Sequence, residues 1–253
     1  MKTKNFVILI IVLLVLLAGV YFGYKGINLY IYDMSTRLWT AESYDNFING
    51  LNIKNTIEIN KVITSEDDYL SFNNVKVKNY FKDFRKIEAT ESNDELVRYA
   101  LYNENNEVIA TFSIRIMDTY IDRIKAKDED SKVDDELFNN EDRTTFFKNH
   151  NIEDDIDLFK FLKTKKDIKS NVFTSVKKMK ENYAYIYFAT MGLPTARSIT
   201  LIDGDYKGYI FNLSDARECN ILYKDKRYEF TFSKLNYFTD DYINEILNTV
   251  VIN

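Results

Sequence analysis

Cys219 and His150 each occur once in this chain of 253 residues, and Arg227 lies a few positions beyond the cysteine. Together these types could carry nucleophilic chemistry. A thiolate attacks a carbonyl carbon, a histidine moves the proton, and an arginine stabilises the oxyanion that develops. The surroundings of the sulfur argue against that use. Asp215-Ala216-Arg217-Glu218-Cys219 puts a carboxylate directly before the thiol, and a neighbouring negative charge disfavours the thiolate. Strand alternation would place Cys219, Ile221 and Tyr223 on one partly buried face. The reading adopted is that Cys219 is a small strand residue and His150 a surface residue between helices.

The order His150, Cys219, Arg227, in a large domain behind an apolar N-terminal segment, resembles sortases. That resemblance implies a cysteine-dependent cell-surface transpeptidase or peptidase, with Cys219 as nucleophile, His150 as proton carrier and Arg227 at the oxyanion. The chain departs from the sortase pattern T-L-x-T-C at the nucleophile, where it reads Ala216-Arg217-Glu218-Cys219. The enzyme reading therefore stands as the alternative to a binding or scaffolding role.

Other chemistries find less material. One His and one Cys would need carboxylates of unknown position to complete a metal shell, so no metal site is expected. Asp128 and Asp130 begin like a calcium loop, but Lys132 follows and no glycine supplies the turn. Asp203 and Asp205 flank Gly204 as turn residues do, which accounts for them without glycoside chemistry. No glycine-rich phosphate loop and no G-x-S-x-G elbow occurs, and no cofactor is expected. From Lys160 to Lys180 eight lysines stand against the single acid Asp167. Lys177, Lys178 and Lys180 are the candidate docking surface for anionic lipid or wall polymer, with solvated helix faces as the plainer account.

These residues follow an N-terminal stretch that governs their location. Phe6 to Tyr24 contains no charge, and its 19 residues make a helix of roughly 29 Å, enough to cross a hydrocarbon core. Lys2 and Lys4 precede it, which favours a cytoplasmic N-terminus and an outward body. A secretory signal would end in spaced small residues, whereas this run ends Ala18-Gly19-Val20-Tyr21-Phe22-Gly23. An uncleaved single-pass signal anchor is expected; cleavage would instead release the body. Gly19 and Gly23 form a G-x-x-x-G pair, a pattern common in membrane helices whether or not they dimerise.

The chain carries a net charge of −5, and the only charges ahead of the apolar run are basic, so the body is more acidic still. Nucleic acid is not an expected partner. The expected partners are the bilayer, through residues 6–24, and an unknown protein or anionic envelope polymer. With a single cysteine there is no internal disulfide, and stability must come from packing. Lysine in excess of arginine, with abundant Asn and Ile, suggests an AT-rich genome and a Gram-positive bacterial envelope.

The expected fold is α+β. A tail (1–5) and anchor (6–24) lead into a mostly stranded part (27–125), an acidic linker (126–142) and an α+β part (143–253). Residues 27–50 could hold a short amphipathic helix with Leu38, Trp39, Tyr44 and Phe47. Leu96–Tyr102 and Glu107–Ile116 read as a hairpin around Asn103-Glu104-Asn105-Asn106. The linker holds eight acids against two lysines. Beyond it, helices are expected around residues 152–166 and from Ser170 to Gly192. Two hairpins follow, the second joining Asn220–Tyr223 to Arg227–Phe232 through Lys224-Asp225-Lys226. A final helix is capped by Thr239, with Phe238 stapling to Ile243.

Overall fold

The computed structural model describes residues 2–37, 52–60, 68–79, 81, 84–126, 140–164, 170–190 and 198–253. Trp39, Tyr44, Phe47, the acidic run from Lys127 to Asn139 and Gly192 lie outside them. An N-terminal apolar helix is joined to a mixed α+β body with largely antiparallel sheets. Two compact units interleave along the chain. Residues 1–48, 124–153 and 160–193 form the first, and residues 49–123, 154–159 and 194–253 the second.

In the first unit α1 runs from Lys2 to Arg37, past the expected end of the anchor and through part of the segment assigned to a separate helix. The helix contains no proline, and Gly19, Gly23, Gly26 and Asn28 are tolerated within it. Further along the chain come α2 (Tyr120–Ala126), α3 (Asn140–Asn149), α4 (Asp155–Thr164) and α5 (Val176–Thr190). Helices α3 and α5 lie in this unit, whereas the opening residues of α2 (120–123) and of α4 (155–159) belong to the second. Acids in the first turns of α3 and α4 and lysines in their last turns suit the helix dipole. Phe146, Phe147 and Phe188 pack ring on ring at 4.9–5.1 Å to give this unit an aromatic core.

Helix α5 starts six residues later than Ser170. Asn171 Oδ1 accepts the Phe173 N–H at 2.9 Å, and Thr174 Oγ1 accepts the Asn171 N–H at 2.9 Å. These side chains offer the backbone a turn in place of a helix. Ser175 then supplies the cap, its hydroxyl accepting the Lys178 N–H at 3.2 Å.

The second unit is built on an eight-stranded sheet. In chain order its strands are β1 (Asn52–Ile59), β4 (Lys86–Ser92), β5 (Leu96–Tyr102), β6 (Val108–Asp118), β7 (Ser198–Gly204), β8 (Lys207–Asn212), β9 (Ala216–Tyr223) and β10 (Lys226–Ser233). In space they run β1-β7-β8-β9-β10-β6-β5-β4. Neighbours are antiparallel except β1 and β7. A smaller sheet joins β2 (Tyr69–Phe72), β3 (Val75–Lys78) and the C-terminal β11 (Val251–Ile252).

Alternation gives the large sheet two unlike faces. On one, Phe112, Ile114, Phe230 and Phe232 join Val75 and Val77 of the small sheet and Ile243, Ile246 and Leu247 of α6 (Asp240–Leu247) in a single core. Thr239 caps α6 by accepting the Tyr242 N–H at 3.2 Å, and the Phe238 ring stacks on Tyr242 at 5.9 Å. On the other face Tyr209 and Phe211 pack against Phe159 and Tyr120.

Candidate functional site

Cys219 sits on β9 opposite Ile210 on one side and Phe230 on the other, and is 0% exposed. Burial pushes its thiol well above the usual range, so the thiolate that nucleophilic attack requires is disfavoured. Arg227 lies on the adjoining strand but on the opposite face. The β9–β10 turn contains only Lys224 and Asp225, with Lys224 at φ 53°, so Lys226 pairs with Tyr223 and Arg227 with Leu222. A three-residue loop would have set Arg227 against Tyr223, on the face of Cys219; a slip of one residue exchanges the faces. His150 belongs to the other unit, where its ring lies 4.4 Å from Phe146 and 4.7 Å from Phe161.

Arg227 instead closes a buried polar network. Its guanidinium lies over the Tyr120 ring at 4.0 Å and donates to the Tyr209 hydroxyl at 3.4 Å. Tyr209 in turn donates to Asp155 at 2.9 Å. The same carboxylate accepts the backbone N–H groups of Tyr120 and Ile121, both at 3.1 Å, at the start of α2. Burial outweighs these hydrogen bonds and the Arg227 charge, and holds the Asp155 carboxyl above the ordinary carboxylate range. Beside this network, on the same face, burial and the charge of Glu229 raise Glu218, while Arg227 and Arg115 pull it back. Arg227 Nε and Asn220 Oδ1 are buried without hydrogen-bond partners.

An open cleft of about 520 Å³ lies at one end of the same sheet. Asn73 and Asn74 from the β2–β3 turn, Asp94 and Glu95 from the β4–β5 turn, and Ile116, Met117 and Asp118 at the end of β6 line it with Arg123 and Lys226. The volume suits a small ligand or a short stretch of a polymer. Several walls are already fixed: Asn73 donates to the Asp94 carbonyl at 2.9 Å, Asn74 to the Tyr228 hydroxyl at 2.9 Å, and Lys226 to Asp118 at 2.5 Å. Arg123 forms no ion pair with the described residues. Sequence reasoning did not find this site, because its residues come from four separate segments. Its one local signal is the Asn73-Asn74 turn, where Asn73 takes φ 50°.

Of the docking lysines, Lys177 and Lys178 are exposed, Lys178 reaching Glu181 at 3.7 Å, whereas Lys180 is tied to Asp142 at 2.6 Å. Asp203 and Asp205 flank Gly204, whose φ of 110° marks a turn conformation. Among the described residues no group of three or more His, Cys, Asp or Glu converges as metal donors would. Asp128, Asp130 and Lys132 fall outside the described residues. A comparison of the chain with known protein families, with curated proteins and with solved structures finds no match.

Proposed function

We propose that this protein is a membrane-anchored binding or scaffolding component of a bacterial envelope, working without covalent catalysis. Residues 6–24 hold it in the bilayer, with the N-terminus cytoplasmic and the α+β body outside. The observation that supports this reading is the bareness of α1. Its span Ile8–Tyr32 is long and apolar enough to cross a membrane, and Leu9 and Val20 are 65% and 71% exposed. Each such side chain left in water forgoes roughly 1.5–3 kcal/mol. Over the whole span that exceeds the stability of an ordinary domain, about 5–15 kcal/mol, so the surface calls for lipid. Lys2 and Lys4 favour the cytoplasmic side for the short end.

Within this reading the partner, a protein or an anionic envelope polymer, meets the cleft around Arg123. The cleft offers Arg123, which lies 5.8 Å from the Tyr120 ring and makes no ion pair with the described residues, together with amide groups and carboxylates, a set suited to polar recognition. A membrane-impermeant maleimide tests the topology, since buried Cys219 contributes little background. Asp225→Cys should label on protoplasts and Lys4→Cys only after permeabilisation; the reverse pattern overturns the orientation. For the binding role, Arg123→Glu should fail to complement a deletion strain while Cys219→Ala and His150→Ala complement fully. Equal failure of the latter two, with Arg123→Glu silent, identifies thiol chemistry instead.

A further inference from the structure

We infer that the turn carrying Val172 and Phe173, with Lys177 and Lys178 above it, is a second membrane contact of this protein. The two apolar side chains enter the outer interface of the bilayer, and the two ammonium groups meet anionic lipid headgroups. This rests on the reading of α1 as a membrane anchor.

The turn lies where the apolar run ends, since the Phe173 ring meets Phe22 edge-on at 6.3 Å. One helical turn further along α1, Lys25 donates its ammonium to the Thr174 carbonyl. Lys25 is itself buried, with the Tyr21 ring 5.6 Å from its nitrogen, so the first charge beyond the anchor is covered by the turn. From there α5 climbs beside α1 in the same direction, Tyr183 meeting Tyr32 at 5.9 Å. Lys177 and Lys178 therefore sit about one helical turn, roughly 5 Å, above the level of Lys25, where headgroups begin.

Exposure points the same way. Phe173 is 82% exposed, more than any apolar side chain described between Ile8 and Tyr32 of the anchor helix, and Val172 beside it is also exposed. The turn that presents them is pinned by the Asn171 and Thr174 side chains. An aromatic ring held in this way beside an anchor, with lysines just above, has the arrangement of an interfacial membrane contact. Lys177 makes no ion pair with the described residues, and Lys178 makes only the 3.7 Å contact with Glu181, so both charges are available to lipid phosphate.

The test uses the full chain in nanodiscs of phosphatidylcholine and phosphatidylglycerol with brominated acyl chains, on a Trp39→Phe background that removes the only native tryptophan. Phe173→Trp should lose emission to lipid brominated near the headgroup end at least as strongly as Val20→Trp. Reversing Lys177 and Lys178 to Glu, or omitting phosphatidylglycerol, should weaken that loss. Leu14→Trp reports the anchor alone, and if it is not quenched the anchor reading fails. Quenching at Leu14 without quenching at Phe173 overturns this inference and leaves the anchor intact. An unquenched, blue-shifted Phe173→Trp shows that protein or a second copy covers the turn, which also overturns it. Quenching at Phe173 that ignores both the lysines and the anionic lipid removes the headgroup contact.

Discussion

The Tyr209 hydroxyl donates to Asp155 at 2.9 Å, and through that bond a strand in the middle of the large sheet is tied to the residue that caps α2. Replacing Asp155 by alanine leaves two backbone N–H groups and a phenol buried without an acceptor. The expected loss is about 3–5 kcal/mol, since each buried donor left unsatisfied costs about 1–3 kcal/mol. Tyr209→Phe keeps the ring against Phe159 at 4.8 Å and removes the bond to Asp155 and the longer one from Arg227, for about 1–2 kcal/mol. Urea unfolding of the detergent-solubilised chain separates the two. Equal losses would mean that the network does not hold α2 to the sheet.

Glu218 and Asp155 both have carboxyls raised in the folded state. Between the ordinary carboxyl pKa and the raised value, the folded chain holds protons that the unfolded chain has released. The stability contributed by these protons is present at acid pH and is lost as pH rises through the folded values. Glu218→Gln removes one such group, so its urea midpoint should fall less steeply than wild type between about pH 4 and about pH 7. At neutral pH it should be slightly more stable, by less than about 1 kcal/mol because Glu218 is only partly buried. An unchanged slope would show that Glu218 titrates normally.

Cys219 packs at 0% exposure between Ile210 and Phe230, so iodoacetamide should modify it only when the chain unfolds. Cys219→Ala removes one sulfur from the core, for about 1 kcal/mol. Cys219→Ser should be worse, because the hydroxyl is buried among apolar side chains, a change of about 1–3 kcal/mol. Alkylation at the rate of a free thiol under native conditions would contradict the burial.

The same strands show how far local pattern carries. In β6 the alternation of Ala110, Phe112 and Ile114 with Ile109, Thr111 and Ser113 was legible, since a half-buried strand must repeat every second residue. The Thr239 cap was equally local. The face of Arg227 was not, because it depends on whether the β9–β10 turn uses two residues or three, and Lys224-Asp225-Lys226 serves either. Ser170 looked like a helix cap, yet side-chain bonds of Asn171 and Thr174 delayed α5 to Val176. The parallel pairing of β1 with β7, the small sheet closed by β11 and the cleft around Arg123 all join distant segments, and periodicity carries no information about such partners.

That long-range pairing decides what a cut in the acidic run will do. The sequence of that run offers trypsin two cleavage points, Lys127 and Lys132. A break at either separates the chain covalently into halves that the second unit does not respect. Strand β6, in the first half, pairs with β10 in the second from Thr111↔Ser233 to Asp118↔Lys226. Strand β1 pairs with β7, and β3 with β11, across the same break. Neither half can complete the large sheet alone, and each would expose a long unpaired strand edge. The nicked protein should therefore elute as one species in detergent, keep its far-UV circular dichroism and separate only in denaturant. Co-expression of residues 1–132 with 133–253 should likewise yield a complex, whereas either half alone should aggregate. Separation of the halves under native conditions, or a soluble, folded 133–253 fragment, would show that the sheet pairing between β6 and β10 does not hold the unit together.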